Sequence, residues 1–286
     1  MALSARTPTG AVTAGFVPEI WSQLIIDAAE KELVCWDATD HSWQKDLKVG
    51  DTVNIGITNH VTATEVTVGS KASSTDIATG TKLQLVMDQW YEAPIDVDYM
   101  TLRQSQIDWA SQCRGEAEYA IRLIIDTSVA TLFSTLNSST VKGANGSEVD
   151  DDLLIDIVEA LDEADVPRDG NRFLIGDPSM IADMMKYDKF VSSLYVAQGA
   201  VQNGTVALGH PIYGCNVRVT NNLVAATPGA YAVMMHRKAI ASGLQIESPW
   251  MKEFEELHQR RYQHEALWGN KVVRTTFGIP FYTRKS

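Results

Sequence analysis

Along this chain the spacing of apolar residues changes period several times, and each change marks a new element. Residues 1–15 (MALSARTPTGAVTAG) are small and polar with no period of either kind, which predicts an extended arm without a core of its own. Pro18 then stands where a first helical turn tolerates a missing N–H. Trp21, Leu24, Ile25 and Ala28 follow at helical spacing, predicting a short amphipathic helix. From Gly50 the period becomes two. Val53, Ile55 and Ile57 alternate with polar residues, β-branched residues continue from Val61 to Val68, and Leu83, Leu85 and Met87 alternate again. These runs flank the polar stretch from Gly69 to Thr81 (GSKASSTDIATGT), so they predict a long β-hairpin whose tip buries little.

Helical spacing returns after Asp96 and Asp98, acids that suit a helix N-terminus, and runs from about Leu102 to Leu136 through Ala117, Ile121, Ile125, Val129 and Phe133. One helix of that span would be about 50 Å long at 1.5 Å per residue. Gly115 lies inside it and costs about 1 kcal/mol against alanine, predicting a bend or a close packing contact there. The stretch from Asn137 to Glu148 (NSSTVKGANGSE) ends the pattern. Asp150, Asp151 and Asp152 then precede Leu153, Leu154, Ile157, Val158 and Leu161, a capped amphipathic helix with acids at its positive end, stopped by Pro167. Residues 172–175 (RFLI) read as a strand, and Pro178 opens a helix through Met184 and Met185. Val217, Val219 and Tyr231 to Met234 read as two strands around a Pro228-Gly229 turn. This alternation predicts a compact α/β unit over 149–235. Leu244 to Ile246 and Tyr262 to Ile279 again alternate like strands packing beside the long helix, with Trp268-Gly269-Asn270 as their turn.

Composition narrows what such a chain can do. With 286 residues, 45% of them hydrophobic, it has material for a sizeable core. A formal charge of -12 argues against sequence-independent grip on nucleic acid, which depends on Lys and Arg neutralising phosphates. The three cysteines, Cys35, Cys113 and Cys215, are far apart with no CxxC spacing, and read as reduced thiols in a cytoplasmic folding environment. The N-terminus lacks the basic start and apolar core of a signal peptide, and the apolar runs fall short of the ~20 residues a membrane helix needs. A soluble chain without a membrane anchor is expected.

Catalytic chemistry is hard to find. There is no GxSxG elbow, no GxxxxGK[ST] phosphate loop and no GxGxxG fingerprint, and residues 209–214 (GHPIYG) read as a turn. Of the six histidines, His41, His60, His210, His236, His258 and His264, only the last two lie near each other, beside Glu255, Glu256 and Glu265. None has metal-ligand spacing, and structural or solvated roles suit them. The run Asp150 to Asp152 could hold a divalent cation, but helix capping accounts for it. The tryptophans, Trp21, Trp36, Trp43, Trp90, Trp109, Trp250 and Trp268, suit either core packing or subunit interfaces. No catalytic, cofactor-binding or metal-binding residue is assigned, and no cofactor is expected.

The order of the parts carries more than any one of them. FVPEIWSQLI at 16–25, GDTVNI at 50–55 followed by VTATEVTVG at 61–69, TKLQLVMDQWYEAPIDV at 81–97, EAEYAIRLIID at 116–126 and AYAVMMHRKAI at 230–240 together span most of the chain. In that order they resemble the major capsid proteins of tailed bacteriophages. The resemblance implies an α+β Hong Kong 97-like capsid fold and a non-enzymatic structural role. Its parts would be an N-terminal arm and short helix at 1–49, an extended β-hairpin loop at 50–97 and a peripheral domain with a long spine helix at 98–148. An α/β axial domain at 149–235 and C-terminal strands at 236–286 returning to the peripheral domain would complete it.

It further implies an icosahedral head of hexamers and pentamers of this chain, enclosing double-stranded DNA without sequence-specific binding and assembled in the host bacterial cytoplasm. A portal is implied as a partner, with a decoration protein as an optional one. The short arm, in place of a long cleaved segment, points to a separate scaffolding protein. Some relatives weld subunits by a Lys–Asn bond. Lys71 would be the donor here, but no acceptor or buried carboxylate matches, and no cross-linking site is assigned. Two readings stand beside this one. An encapsulin-like nanocompartment shell would usually open with an amphipathic cargo-facing helix rather than a polar arm, and a soluble α/β enzyme would require His258, His264 and the nearby glutamates to converge.

Overall fold

The computed structural model describes residues 30–31, 33–48, 51–58, 65, 68–69, 80–104, 109–137, 141–187 and 211–284. The predicted arm, the helix after Pro18, nearly all of the hairpin tip with Lys71, and Trp21, His60 and His210 lie outside the described residues.

Strands β1 (Thr52–Thr58) and β2 (Gly80–Val86) form the predicted antiparallel hairpin, in register from Thr52 opposite Val86 to Thr58 opposite Gly80. Their alternation puts Ile55 and Leu85 on one face, where they bury against Met87 and Ala241 with Trp43 and Leu267 beside them. Strand β3 (Gln89–Asp98) follows after two residues, yet it leaves the hairpin and pairs with a strand from the far end of the chain.

Helix α1 (Tyr99–Gln104) and helix α2 (Trp109–Leu132) cover most of the span predicted as one helix, with residues 105–108 outside the described set. At 24 residues α2 is about 36 Å long. It tightens into a 3₁₀ turn at Phe133–Thr135 instead of running on. Its last turns are rich in hydroxyls that bond back to the helix carbonyls: Thr127 to Leu123 O at 2.7 Å, Ser128 to Ile125 O at 2.6 Å, Thr131 to Ser128 O at 2.7 Å. Such bonds compete with the backbone ladder and favour a tightened end. Among the described residues the close packing predicted at Gly115 is absent: a Cβ there would meet none of them within 4 Å.

Helix α3 (Asp151–Glu163) begins as the acidic run predicts, with the Asp150 carboxylate accepting from Leu153 N–H at 2.8 Å. Strand β4 (Arg172–Gly176) is buried throughout. Helix α4 (Pro178–Met184) has Asp177 as its N-cap and proline in its first turn. Strands β5 (Asn216–Val219), β6 (Ala230–His236) and β9 (Gly278–Thr283) complete a four-stranded sheet in the order β5-β4-β6-β9, parallel only between β4 and β5. The two strands predicted around Pro228-Gly229 are therefore not neighbours, since β4 lies between them.

The long strands β7 (Ile240–Phe254) and β8 (Gln259–Val272) form an antiparallel hairpin, and β3 adds to β8 to give the order β3-β8-β7. Here the sequence reading needs two corrections. The chain does not turn at Trp268-Gly269-Asn270, which lies inside β8; it turns at Glu255–His258, with His258 in the left-handed region at φ 52°. Gly269 serves close approach instead: a Cβ on it would stand 2.0 Å from the Val86 carbonyl oxygen, so glycine lets the β1–β2 hairpin lie against β8. The end of the predicted C-terminal strand region, β9, also leaves the long helix and joins β6, where Ile279 and Phe281 complete the main core.

That main core fills the space between the four-stranded sheet, α3, α4 and the end of α2, including Leu154, Ile157, Leu174, Met234, Phe133 and Leu136. Farther along α2, Ile121 and Ile125 pack on Ala266 and Trp268, and Cys113 packs on Val97 and Tyr262. One helix thus serves both sheets. Gly269→Ala should lower stability by about 1–3 kcal/mol, because either the hairpin or β8 must shift. A urea midpoint equal to that of the parent chain would show that Val86 does not constrain this position.

Candidate assembly surfaces

Residues raised as candidates for chemistry are kept apart by the fold. His258 is exposed in the β7–β8 turn while His264 is buried six residues along β8, about 20 Å away at a strand rise of 3.3 Å. His41 bonds the Trp36 carbonyl at 3.1 Å, and His236 meets Asp169 at 3.0 Å beneath Phe277. In the acidic run, Asp150 caps α3 and buried Asp151 accepts from the Tyr213 hydroxyl. The turn read at GHPIYG is present at Tyr213-Gly214, both at positive φ, with Ile212 bridging Cys215. Among the described residues no group of three or more His, Cys, Asp or Glu could hold a metal, and no helix is long and apolar enough to cross a membrane.

The cysteines are free and buried. Burial pushes the Cys215 thiol up to about 11 and raises Cys35 well above its ordinary value, with Asp126 adding to the effect. Neither is a thiolate near neutrality.

What the fold builds instead are surfaces. In the three-stranded sheet the odd residues of β3 and the even residues of β8 face α2, so Val97, Tyr262, Ala266 and Trp268 are buried under the helix. The Trp268 indole N–H donates to Ser128 Oγ at 3.1 Å, and its ring stacks on Tyr91 with centroids 5.1 Å apart. On the opposite face the Gln263 amide donates to Glu92 at 2.6 Å and to Glu265 at 3.2 Å, and Trp250 donates to the same Glu265. Farther along, Arg261 holds Asp96 with two bonds of 2.7 and 2.8 Å and lies over the Phe254 ring, 4.9 Å from its centroid. The Arg261 hydrogen bonds, aided by its charge, hold the Asp96 carboxyl below the usual carboxylate range.

The large apolar side chains left outside gather mainly on this same unit. Trp90 is 70% exposed at the root of the hairpin, and Met100, Met251 and Leu257 are 66, 56 and 63% exposed toward the β7–β8 turn. Aromatic residues and Met are enriched in protein interfaces. The tryptophan pattern is thus divided: Trp268 is core, Trp36, Trp43 and Trp250 are half-buried, and Trp90 faces outward.

Concave features flank α2. Leu33, Trp36, Ile125 and Leu244 line a groove of about 410 Å³ with Asp126 at its floor, whose carboxylate accepts from Trp36 N–H and the Asn222 amide, each at 3.0 Å. A second cavity of about 290 Å³ lies beside Arg114 and Met251. Sequence reasoning singled out neither. The signal was weak: Arg114 is one charge on a helix, and Met251 one apolar residue in a mixed strand.

No family model and no curated protein matches the chain. Solved structures do. A chain from a structure of Mycobacterium phage Che8 superposes with a TM-score of 0.80 at 22% identity, covering 93% of this chain and 97% of the other. A chain from the capsid of the cyanophage P-SCSP1u gives 0.72 at 14% identity over 95% and 94%. One from the asymmetric unit of the bacteriophage PhiM1 mature capsid gives 0.72 at 12% over 94% and 93%. This chain therefore shares a mixed helix and sheet fold with chains of phage capsid structures.

Protonating Asp96 should weaken the β3–β8 edge. Its carboxyl titrates lower in the folded chain than in the unfolded one, so its contribution is present above about pH 4 and fades as pH falls through the lowered folded value. Asp96→Asn should cost about 0.5–1 kcal/mol at pH 7 and less at pH 3. Equal urea midpoints for variant and parent at both pH values would show that the pair adds nothing.

Proposed function

We propose that this chain is the major shell subunit of a tailed-phage head, built on the Hong Kong 97-type plan and assembling into hexamers and pentamers around double-stranded DNA. The observation that carries the reading is likeness at full length: 93% of this chain and 97% of the Che8 chain superpose at a TM-score of 0.80. A chain that matches from end to end has the same parts in the same order.

In this reading the β1–β2 hairpin is the extended loop that laps over a neighbour. Helix α2 with the β3-β8-β7 sheet forms the peripheral domain, and the four-stranded sheet with α3 and α4 forms the axial domain near the capsomer centre. The exposed Trp90, Met100, Met251 and Leu257 suit burial between copies, where many modest contacts add up through closed symmetry. A formal charge of -12 suits an inner wall that confines DNA without gripping it. A scaffolding protein, a portal and a decoration protein are the partners this role brings with it. The role is structural and non-enzymatic, and its place is the virion.

Negative-stain electron microscopy of the purified full chain, expressed with and without neighbouring genes, should show polyhedral shells, or capsomers and irregular tubes when scaffold is missing. A small oligomer of fixed size under every condition would overturn the proposal. Deleting residues 1–15 should abolish regular particles while leaving the circular dichroism of the subunit unchanged. Normal particles from the shortened chain would show that residues 1–15 take no part in contacts between subunits.

A further inference from the structure

Helix α2 lies over β8 and β3 but stops short of covering β7, so the inward face of β7 keeps an opening where a packed side chain would otherwise sit. Its walls are Arg114 and Ala117 from the helix and Trp250, Met251, Tyr262 and His264 from the sheet. At about 290 Å³ it is roughly twice the size of a cavity that accepts a benzene ring. The floor is largely apolar or aromatic, and the rim carries one cation. Arg114 is exposed, and among the described residues it has no ion-pair partner. Such a site fits an apolar side chain flanked by carboxylates.

The β7–β8 turn of the same chain has that chemistry. Glu255, Glu256 and Leu257 are all exposed, Leu257 at 63%, and neither glutamate has an ion-pair partner among the described residues. The turn cannot fill its own cavity. Phe254 pairs with Gln259, so the hairpin runs straight past Met251 for three more residues, about 10 Å, before it reverses. Only another copy can bring the turn to the opening.

We infer that, within the shell proposed above, the Glu255-Glu256-Leu257 turn of one copy seats in the Arg114–Met251 cavity of a second copy, with Leu257 inside and the glutamates on Arg114. Two different patches of one chain meet in this contact, so it is heterologous, and repeated around an axis it closes into a ring. The inference depends on the shell reading and adds to it a knob, a socket and a direction. Charge complementarity orients the turn, and burial of Leu257 and Met251 removes apolar surface that the lone subunit leaves in water.

The test combines Met251→Cys and Leu257→Cys in the full chain. Both positions are exposed, and Cys113, which packs on Tyr262 beside the cavity, is replaced by alanine in every chain tested so that it cannot compete. Mild oxidation of assembled particles should link subunits into covalent multimers on a non-reducing gel. Neither single variant should do so, nor should the dilute unassembled chain. Arg114→Glu should lower particle yield at least about tenfold while leaving the urea midpoint of the unassembled subunit unchanged, and adding Glu255→Arg and Glu256→Arg should restore it. Particles that form without cross-links, an Arg114→Glu variant that assembles like the parent, or a Met251→Cys chain that captures a different co-expressed protein would each overturn the inference and leave the shell reading standing. Failure of the parent chain to form particles under any condition would instead overturn the shell reading.

Discussion

Burial of one helix in two cores is the constraint on which the rest of the structure depends. The C-terminal end of α2 places Val129, Ala130, Phe133 and Leu136 among the buried residues of the four-stranded sheet, while Ile121, Ile125 and Cys113 pack on the three-stranded one. A helix is stiff over its length, so fixing both ends of this contact fixes how the two sheets sit. Buried Asp126 holds the middle: its carboxylate takes the Trp36 N–H from the N-terminal segment and the Asn222 amide from the loop after β5. Both donors would be left unsatisfied without it, which makes the joint costly to open.

Strand pairing follows from that constraint. β8 is buried on both faces, by α2 on one side and by the β1–β2 hairpin at Leu267 and Gly269 on the other. It is therefore the central strand, with β3 and β7 as its edges. The edge strands carry Pro94 and Pro249, residues that lack an N–H and so discourage pairing with a stray strand. That would matter in the proposed shell, where many copies sit side by side. Contacts between copies would then be left to faces, turns and the hairpin, where the exposed Trp90, Met100, Met251 and Leu257 lie.

Polar groups buried around the four-stranded sheet tie its parts together. Arg172 binds Asp162 at 2.7 Å and the Pro167 carbonyl at 3.1 Å, and Asp183 receives Lys186, Arg284 and the Val149 N–H. The first joins β4 to α3, and the second gathers Arg284, just past β9, and the segment before α3 onto α4.

By itself the sequence determined the local elements, because their causes are local. Period two made β1 and β2, period 3.6 made α2 and α3, Asp150 set the start of α3, and the apolar Phe173-Leu174-Ile175 run announced a strand at β4. The order of those elements was enough to suggest the capsid fold. Tertiary structure alone decided what lies next to what. Gly269 looked like a turn because glycine often is one, but its role comes from a carbonyl on a strand nearly two hundred residues earlier. β9 alternates like its predecessors and still leaves them, because the main core needed Ile279 and Phe281. The cavity at Arg114 exists only because a helix covers two strands of three. Periodicity reports which face of an element is apolar; which partner covers that face depends on contacts far apart in the chain.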